Sequence, residues 1–502
     1  MSFSHSGSSR VSASGDDRID GLLIGVRWSE DEIFFGAPDS PFDYNIFDFS
    51  DDDGDGLSAE DDGFSPLSNR QIAVLRAYLD SEKGGAVTAG AGFSVEGFTG
   101  LELTYAGYGS GEAEIRVANS GDAATAYAYY PNRVETGGDA WFGGAGAKPI
   151  AGNYDHFAML HELGHALGLK HAHEAELSFE ALPEEHDSPE FTVMTYRPYE
   201  GGGIYAPFGG EKWGYAQSFM MLDIAALQYM YGANYAVNSG DTTYSWKEGS
   251  GVTRVDGVRV IEPGANRIFA TIWDGGGTDT YDLSDYDTDL DISLRAGGYS
   301  TFDAAQLADL GGGPNDGFAR GNIFNALLFE GDKRSLIENA RGGSGDDLLT
   351  GNDTGNKFMG GEGKDTLKGG KGADTLMGGK DRDELIGGRG GDIFRFKSTS
   401  DSTTGAPDRI VAGGNAEAFQ KPGAGKGDLI DLSRIDANTS RSGNQAFTLS
   451  DTKEKGTIWL RDKGGNTLVQ GNVDGKDGAD FRISIVDGDV QAADYSVADF
   501  IL

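Results

Sequence analysis

The sequence contains no cysteine, which excludes disulfide bonds, thiolate metal sites and a catalytic thiol. Proline is scarce, with 13 residues in 502, and the 80 glycines do not recur at every third position, so a collagen-like chain is excluded. There is no apolar run of about 18 residues or more, and we therefore expect no stable membrane insertion.

Basic residues are also few. The chain has 41 Lys and Arg against 80 Asp and Glu, a net charge of −39. This balance argues against a nucleic-acid partner, because phosphate contacts need basic side chains. It favours a protein that binds several divalent cations through carboxylates. Residues 1–18 are polar and Ser-rich, without the basic and apolar regions of a cleaved signal peptide, and indicate a disordered tail or a short propeptide.

The length of 502 residues predicts two or more domains. Apolar spacing predicts helices at 71–80, capped by Ser68 or Asn69, at 156–169 and at 220–231, and alternation predicts a strand at 113–118. These elements indicate a mixed α/β domain over residues 19–245. Beyond it, residues 246–341 read as the start of a β domain, since short strands alternate there with Gly/Asp turns.

A nine-residue repeat begins at Gly342 and recurs six times. Its blocks are GGSGDDLLT, GNDTGNKFM, GGEGKDTLK, GGKGADTLM, GGKDRDELI and GGRGGDIFR. Such a nonapeptide is typical of a parallel, calcium-binding β-roll, which we place at 342–397 and follow with a C-terminal β region at 398–502. The alternative, a flexible Gly/Asp linker, does not explain an apolar eighth residue in every block.

Each repeat combines a tight glycine turn, which exposes backbone carbonyls, with a carboxylate at its sixth position. Stacked turns would bring these oxygens together as Ca²⁺ cages, and metal binding should be coupled to folding. The second block departs from the pattern, with Asn356 in place of the aspartate and a single glycine at Gly351, so calcium binding there is left open. The positions assigned to calcium are Gly343, Gly345, Asp347, Gly361, Gly363, Asp365, Gly370, Gly372, Asp374, Gly379, Asp383, Gly388, Gly390 and Asp392.

A separate acidic loop, Asp51 to Asp62, imitates the start of an EF-hand. Its twelfth position is Asp62 rather than Glu, and Ser58 stands where an apolar residue is usual. We interpret it as a solvated acidic loop, with calcium binding as the second reading.

A compact metal motif runs from His161 to His171, with the sequence HELGHALGLKH. His161 and His165 lie one helical turn apart, and Gly168 lets the chain leave the helix so that His171 can return as a third ligand. Three imidazoles with an open fourth position describe a catalytic zinc site. Glu162 would act as general base on a water whose pKa zinc lowers towards about 7.

Downstream, Met194 lies in the segment Thr192–Tyr196 and would form an apolar floor below the imidazoles. Tyr196 could reach the zinc or hydrogen-bond the oxyanion of the tetrahedral intermediate. His173 and His186 are off the pattern, and we interpret both as solvated or outer residues.

With these residues together, the chain resembles the serralysins, metzincin zinc proteases joined to an RTX β-roll, from about residue 19 to 502. The resemblance also includes the segments at 220–235, 271–284 and 337–347 and the terminal DFIL. It implies a multidomain protein: an N-terminal α/β (α+β) metzincin protease domain, then an all-β parallel roll and a C-terminal β region.

The resemblance implies further site residues. Tyr196 would be a fifth zinc ligand, and substrate would lie along an edge strand at Ala113, Ile115 and Val117. An additional calcium site would use Asp274, Gly276, Gly277, Asp279 and Glu338. An uncleaved C-terminal signal would direct export through a type I secretion machinery, giving a secreted, extracellular monomer. Ala172 and Arg197 depart from the family pattern and leave substrate preference open.

We therefore expect a calcium-stabilised zinc endopeptidase that acts on protein or peptide substrates. One alternative is a calcium-dependent adhesion protein with an inactive protease domain, which the intact Glu162 disfavours. Another is a processing protease of narrow specificity.

Overall fold

The computed structural model describes residues 7–44, 63–80, 92–108, 113–121, 123–205, 210–423 and 427–502. These residues form the helices α1 (Asp17–Asp20), α2 (Asn69–Leu79), α3 (Val95–Phe98), α4 (Tyr154–Ala166) and α5 (Met221–Tyr231). The earlier strands are β1 (Ser8–Arg10), β2 (Val26–Trp28), β3 (Glu32–Gly36), β4 (Glu102–Gly107), β5 (Ile115–Asn119), β6 (Ala126–Ala128), β7 (Ala140–Phe142), β8 (Thr243–Ser245), β9 (Thr253–Val255), β10 (Val258–Ile261), β11 (Ala270–Ile272), β12 (Thr280–Asp282), β13 (Asp291–Ser293), β14 (Tyr299–Ser300) and β15 (Ile323–Asn325). The later strands are β16 (Asn339–Arg341), β17 (Leu348–Thr350), β18 (Lys357–Gly361), β19 (Thr366–Lys371), β20 (Thr375–Gly379), β21 (Glu384–Arg389), β22 (Ile393–Arg395), β23 (Asp408–Ile410), β24 (Leu429–Asp431), β25 (Thr448–Leu449), β26 (Thr457–Asp462), β27 (Thr467–Asn472), β28 (Phe481–Ile485) and β29 (Phe500–Ile501).

The chain is mostly β-sheet with few helices, and it divides into two compact units. The first unit comprises Met1–Thr242, Gly249–Gly277 and Ala304–Ser335. The second comprises Thr243–Glu248, Thr278–Asp303 and Leu336–Leu502. The segment predicted as the start of a β domain, 246–341, is therefore shared between the two.

Part of that segment joins the first unit through polar contacts with earlier residues. The backbone N–H of Asp309 donates to Glu211 at 3.1 Å, and the guanidinium of Arg320 pairs with Glu190 at 2.9 Å. Such contacts between distant positions leave no trace in local composition, which is why a single boundary near 245 was wrong for these stretches.

The three longer helices occur where apolar spacing predicts them. Ser68 caps α2, because its hydroxyl accepts from the N–H of Gln71 and the Gln71 side chain accepts in return. Helix α4 begins after Asn153, whose side chain accepts from a first-turn N–H. It ends at Ala166, earlier than predicted, because the Leu169 N–H turns back to the carbonyl of Gly164. Among the described residues, none of the helices combines the length and apolar character of a membrane span.

The main sheet of the first unit has the strand order β4-β3-β5-β7-β6. All neighbouring strands in it run parallel except β6, which is antiparallel to β7. The assignment of Ala113, Ile115 and Val117 to a substrate-binding edge is wrong. Strand β5 is bonded on both sides, to β3 and to β7, and all three side chains are fully buried. In the described part of this sheet, the edges are β4 and β6.

The N-terminal segment is not a disordered tail over its described part. Strand β1 pairs antiparallel with β2, and α1 follows with its N-cap at Asp16. Hydrogen bonds to residues 26–28 hold residues 8–10, so disorder is wrong for this stretch. Residues 1–6 lie outside the described residues, and a propeptide stays a prediction.

The second unit contains two parallel sheets whose strands alternate along the chain. One has the order β8-β12-β16-β18-β20-β22-β24-β29, and the other begins β13-β17-β19-β21-β23-β28. Residues 18 apart align, as Leu349 with Leu367 and Phe358 with Leu376 do. One turn of the roll thus consumes two nonapeptides.

The apolar eighth residues of the repeats form the core of this roll. All six are fully buried, namely Leu349, Phe358, Leu367, Leu376, Leu385 and Phe394. The predicted inward orientation is confirmed. Each strand alone exposes its apolar side chain, so burial requires stacking of successive turns.

Candidate metal centre

Three histidines converge at the end of helix α4. His161 and His165 lie on successive turns of the helix, and both are buried, with 6% and 5% exposure. The loop after Gly168 brings His171 back until its Nε2 lies 3.0 Å from the Nε2 of His165. One potential ligand atom from each of the three residues lies within 4.8 Å of the others.

The Nδ1 atom of each imidazole lies within hydrogen-bond distance of an oxygen acceptor. The Nδ1 atoms of His161 and His165 each lie 2.7 Å from a backbone carbonyl oxygen, of Val193 and Leu169 respectively. The Nδ1 of His171 lies 3.0 Å from the Oε2 of Glu174. Because a carbonyl oxygen can only accept, the proton of a neutral ring sits on Nδ1 and the Nε2 lone pair faces the cluster.

Burial keeps these rings neutral. It lowers the pKa of His161 to about 3 and that of His171 to about 4, and it holds the pKa of His165 well below its ordinary value. Facing lone pairs repel unless a cation lies between them. The donor set therefore fits a cation such as Zn²⁺, which prefers neutral imidazole nitrogen.

Glu162 follows the first histidine on the same helix and is 7% exposed. Burial raises the pKa of its carboxyl group to about 8. A carboxylate that is poorly solvated is a stronger base than one in water, and a cation nearby would favour its ionised form.

Met194 lies directly below the helix. A Cβ added at Gly164 would come 2.5 Å from the Met194 sulfur, so the thioether occupies the space that the glycine leaves open. Met194 is fully buried. Met194 thus packs against α4, and its role as an apolar floor below the imidazoles stays a prediction.

Two tyrosines stand beside the histidines. The ring of Tyr196 lies 4.4 Å from that of His171 and is 40% exposed. Burial raises the pKa of its hydroxyl to about 12, so the group is a neutral donor. Tyr130 packs edge-on against His165 at 5.3 Å, and no sequence signal pointed to it. The ring of His173 lies 5.0 Å from that of Tyr196 in a tilted arrangement, whereas His186 contacts Phe191.

Sequence reasoning also missed two acidic residues that orient these histidines, one directly and one through the backbone. Glu174 follows His171 by three residues, a spacing that is visible in the sequence. Asp223 is buried on α5 and accepts from Val193 N–H at 2.8 Å and from the Thr192 hydroxyl at 2.5 Å. It thereby fixes the backbone whose carbonyl receives His161. Only the tertiary structure brings Asp223 to this loop.

Gly168 offers a test of the turn that delivers His171. Its φ is +106°, and an added Cβ would lie 2.6 Å from the carbonyl oxygen of Val26. We expect Gly168→Ala to lower the free energy of unfolding of the first unit by about 2–4 kcal/mol, from backbone strain plus the clash. Thermal denaturation followed by circular dichroism measures this.

The matched control is Gly201→Ala. Gly201 also has a positive φ, +79°, but no atom lies within 4 Å of an added Cβ. It should show the backbone penalty alone, about 1 kcal/mol. Equal destabilisation in both variants would contradict the importance of the Val26 contact.

The aspartates of the repeats form two ladders in the second unit. The N–H of Asp347 donates to Asp365, and that of Asp365 to Asp383, each at 2.9 Å. Asn356, Asp374 and Asp392 are linked in the same way. In the described structure, the Oδ2 atoms of Asp365, Asp374, Asp383 and Asp392 are buried without a hydrogen-bond partner.

The ladders continue beyond the repeats, which sequence reasoning missed. The N–H of Asp383 donates to Asp408 at 3.2 Å, and that of Asp392 donates to Asp428 at 2.9 Å. Gly361 adopts a φ of +132° and packs against the Gly343 carbonyl, where any side chain would collide.

The residues of the additional predicted calcium site fall in different units. Asp274, Gly276 and Gly277 belong to the first, and the N–H of Gly276 donates to Asp274 at 2.8 Å. Asp279 and Glu338 belong to the second, where the Asp279 N–H donates to Glu338 at 2.9 Å. The loop from Asp51 to Asp62 lies outside the described residues.

Comparison with known proteins identifies similar metalloproteases. Residues 233–497 match the family model described as Peptidase M10 serralysin C terminal. Metalloprotease AprA of Pseudomonas entomophila (strain L48) is 34% identical over 436 residues, which cover 84% of this chain and 81% of that protein. Serralysin of Proteus mirabilis is 35% identical over 245 residues, 46% of this chain and 44% of that protein.

Among solved structures, the AlgE6R3 subunit from the Azotobacter vinelandii mannuronan C5-epimerase is 27% identical. The alignment covers 32% of this chain and 78% of the subunit. Its TM-score is 0.23, so we draw no conclusion about fold or function from this similarity.

These findings place the protein among the metalloproteases. Within that class, the chain belongs to the serralysin family, as the long alignment with AprA and the matched C-terminal family model show.

Proposed function

We propose that this protein is a secreted, calcium-stabilised zinc endopeptidase. The observation that carries the proposal is the convergence of three neutral imidazoles on one point, with the buried carboxyl group of Glu162 on the same helix. The first unit would perform catalysis and the second would bind calcium. The serralysin family supports the class of reaction, and the arrangement of the histidines and Glu162 supports the choice of residues.

His161, His165 and His171 would hold the zinc ion, each oriented by the acceptor at its Nδ1. When bound, zinc polarises the scissile carbonyl group and lowers the pKa of water towards about 7. Glu162 would accept the proton of the attacking water and then deliver it to the leaving amine. Burial makes this carboxylate a stronger base than one in water, and a cation held by the neighbouring histidines would favour its ionised form before the attack.

Tyr196 would assist the transition state. Its hydroxyl is neutral, partly exposed and beside His171, so it can donate a hydrogen bond to the oxyanion as charge develops there. It can equally occupy a further ligand position in the resting enzyme. Met194 would support the ligands from below through packing alone.

For the substrate, we propose pairing with β6 rather than β5. Strand β6 is the antiparallel edge of the described sheet, packs beside α4 and leads into Tyr130 at the metal centre. An extended peptide could add to this edge as a further strand, through main-chain hydrogen bonds. Such main-chain recognition tolerates many sequences, so protein and peptide substrates are expected.

Calcium would occupy the ladders of the second unit. The buried Oδ2 atoms of Asp365, Asp374, Asp383 and Asp392 are acceptors that a hard cation satisfies. Extracellular calcium modules bind at about 10⁻⁴–10⁻³ M, which fits folding and action outside the cell. We propose export by a type I secretion machinery through the C-terminal region, which carries β29.

Casein hydrolysis by calcium-folded protein tests the proposed activity. We expect hydrolysis that 1,10-phenanthroline abolishes in excess calcium and that stoichiometric Zn²⁺ restores, because the proposed site supplies three histidine ligands. The control is the same chelator treatment followed by calcium alone. Protein that binds one zinc and cleaves neither casein nor a peptide library would contradict the proposal.

A further inference from the structure

The loop that carries the third histidine contains a lysine that is fully buried. Lys170 immediately precedes His171, and its side chain has 0% exposure. A buried ammonium group needs partners for its three N–H donors, because leaving one without a partner in the interior is costly.

All three donors meet backbone carbonyl oxygens. The ammonium nitrogen lies 2.7 Å from the oxygen of Gly21, 2.5 Å from that of Glu174 and 3.1 Å from that of Glu180. The ammonium group therefore links three segments of the chain. They are the N-terminal segment at Gly21, the turn after His171 at Glu174, and the loop at Glu180.

The backbone around Lys170 is held to the same N-terminal segment. Its N–H donates to the Leu22 carbonyl at 2.8 Å, and Leu169 forms an antiparallel bridge with Leu23. The Ile24 N–H donates to Gly168 at 3.2 Å. The stretch that delivers His171 is thus anchored on the N-terminal segment, which lies about 150 residues away in sequence.

Glu174 links this anchor to the metal centre. Its carbonyl accepts from Lys170, while its carboxylate accepts from the Nδ1 of His171 at 3.0 Å. The carboxylate is partly exposed, with 38% side-chain exposure, so packing alone does not hold it. Its position depends on a backbone that the ammonium group fixes.

We propose that Lys170 and Glu174 act as one positioning pair for His171, in which the buried ammonium sets the Glu174 backbone and the Glu174 carboxylate sets the imidazole. The pair would lower the rate at which zinc leaves the site. This inference rests on the proposed function, since it presumes zinc at the three histidines.

The test measures zinc release into excess 4-(2-pyridylazo)resorcinol, with the visible spectrum of the Co²⁺-substituted protein as a second readout. Losing such an outer carboxylate typically costs about 10- to 100-fold in metal affinity. We expect Glu174→Ala to speed zinc release by about that factor and to change the Co²⁺ spectrum. Glu174→Gln keeps an acceptor oxygen, so its rate of zinc release should stay close to that of the wild type.

Lys170→Met should act in the same direction, and the double variant separates positioning from general stability. If Lys170 works through Glu174, Lys170→Met adds little in the Glu174→Ala background. Lys170→Gln, which keeps part of the donor set, replaces Lys170→Met if that variant does not fold. The control for lost charge is Glu185→Ala, an exposed residue, which should leave zinc release unchanged.

Two results would overturn the inference: zinc release that Glu174→Ala leaves unchanged, or a Lys170 effect that persists in full without Glu174. Wild-type protein that binds no zinc would instead refute the proposed function, so the two failures are distinguishable.

Discussion

Glu162→Gln should lose about 10²- to 10⁴-fold in kcat/KM for peptide hydrolysis and keep its zinc. The substitution retains shape and volume but removes the carboxylate that we propose as the acceptor of the proton of the attacking water. The side chain is buried, and burial raises its pKa to about 8, so a neutral amide suits the environment. We therefore expect a thermal stability equal to or above that of the wild type.

The measurement combines peptide kinetics, zinc content by elemental analysis and a thermal melt. Glu185→Gln, an exposed glutamate in the same unit, is the control and should retain full activity. Glu162→Gln with near wild-type kcat/KM would refute its role as general base. Loss of zinc together with activity would show a structural role instead.

Removal of calcium should unfold the second unit. Buried aspartates face one another along each ladder, and burial raises the pKa of Asp365 to about 8 and those of Asp374 and Asp383 to about 7. Without a cation, each of these carboxyl groups must take up a proton on folding or stay ionised with an unsatisfied oxygen, and either course destabilises the roll by several kcal/mol at neutral pH. We expect excess EGTA to abolish the unfolding transition of this unit, followed by circular dichroism and calorimetry.

Asp365→Asn gives a more specific test, because we expect it to change the stability of the second unit in opposite directions without calcium and with calcium. In EGTA the variant should be as stable as the wild type or more so, since a neutral amide removes repulsion. In calcium it should be less stable and need about tenfold more calcium, since one ligand charge is lost. The control is Glu362→Gln in the same repeat, whose carboxylate pairs with Lys380 on the surface. An unfolding transition insensitive to EGTA would contradict calcium binding by the ladders.

Local spacing predicted much of the candidate site. His161 and His165 are four residues apart, and helical geometry alone puts them on one face. Gly168 indicated the exit from the helix because glycine tolerates a positive φ. The period of nine, with an apolar eighth residue, predicted a stacked roll whose inward residues are indeed buried.

Residue spacing did not predict contacts between residues that are far apart in the sequence. Strand β5 has the composition of a strand, but whether a strand is central or at an edge depends on its neighbours, and β3 and β7 occupy both its sides. Likewise, Asp223 reaches Val193 and Lys170 reaches Gly21 only after the chain has folded.

The sequence by itself predicted the cluster of three histidines, the repeat, the longer helices and the family, since these depend on spacing within a few residues. Only the tertiary structure decided which strand edge is open, which carboxylates orient the histidines, and where the two units divide. Those features arise from contacts between segments tens to hundreds of residues apart, and no short pattern encodes which distant group will satisfy a buried donor or acceptor.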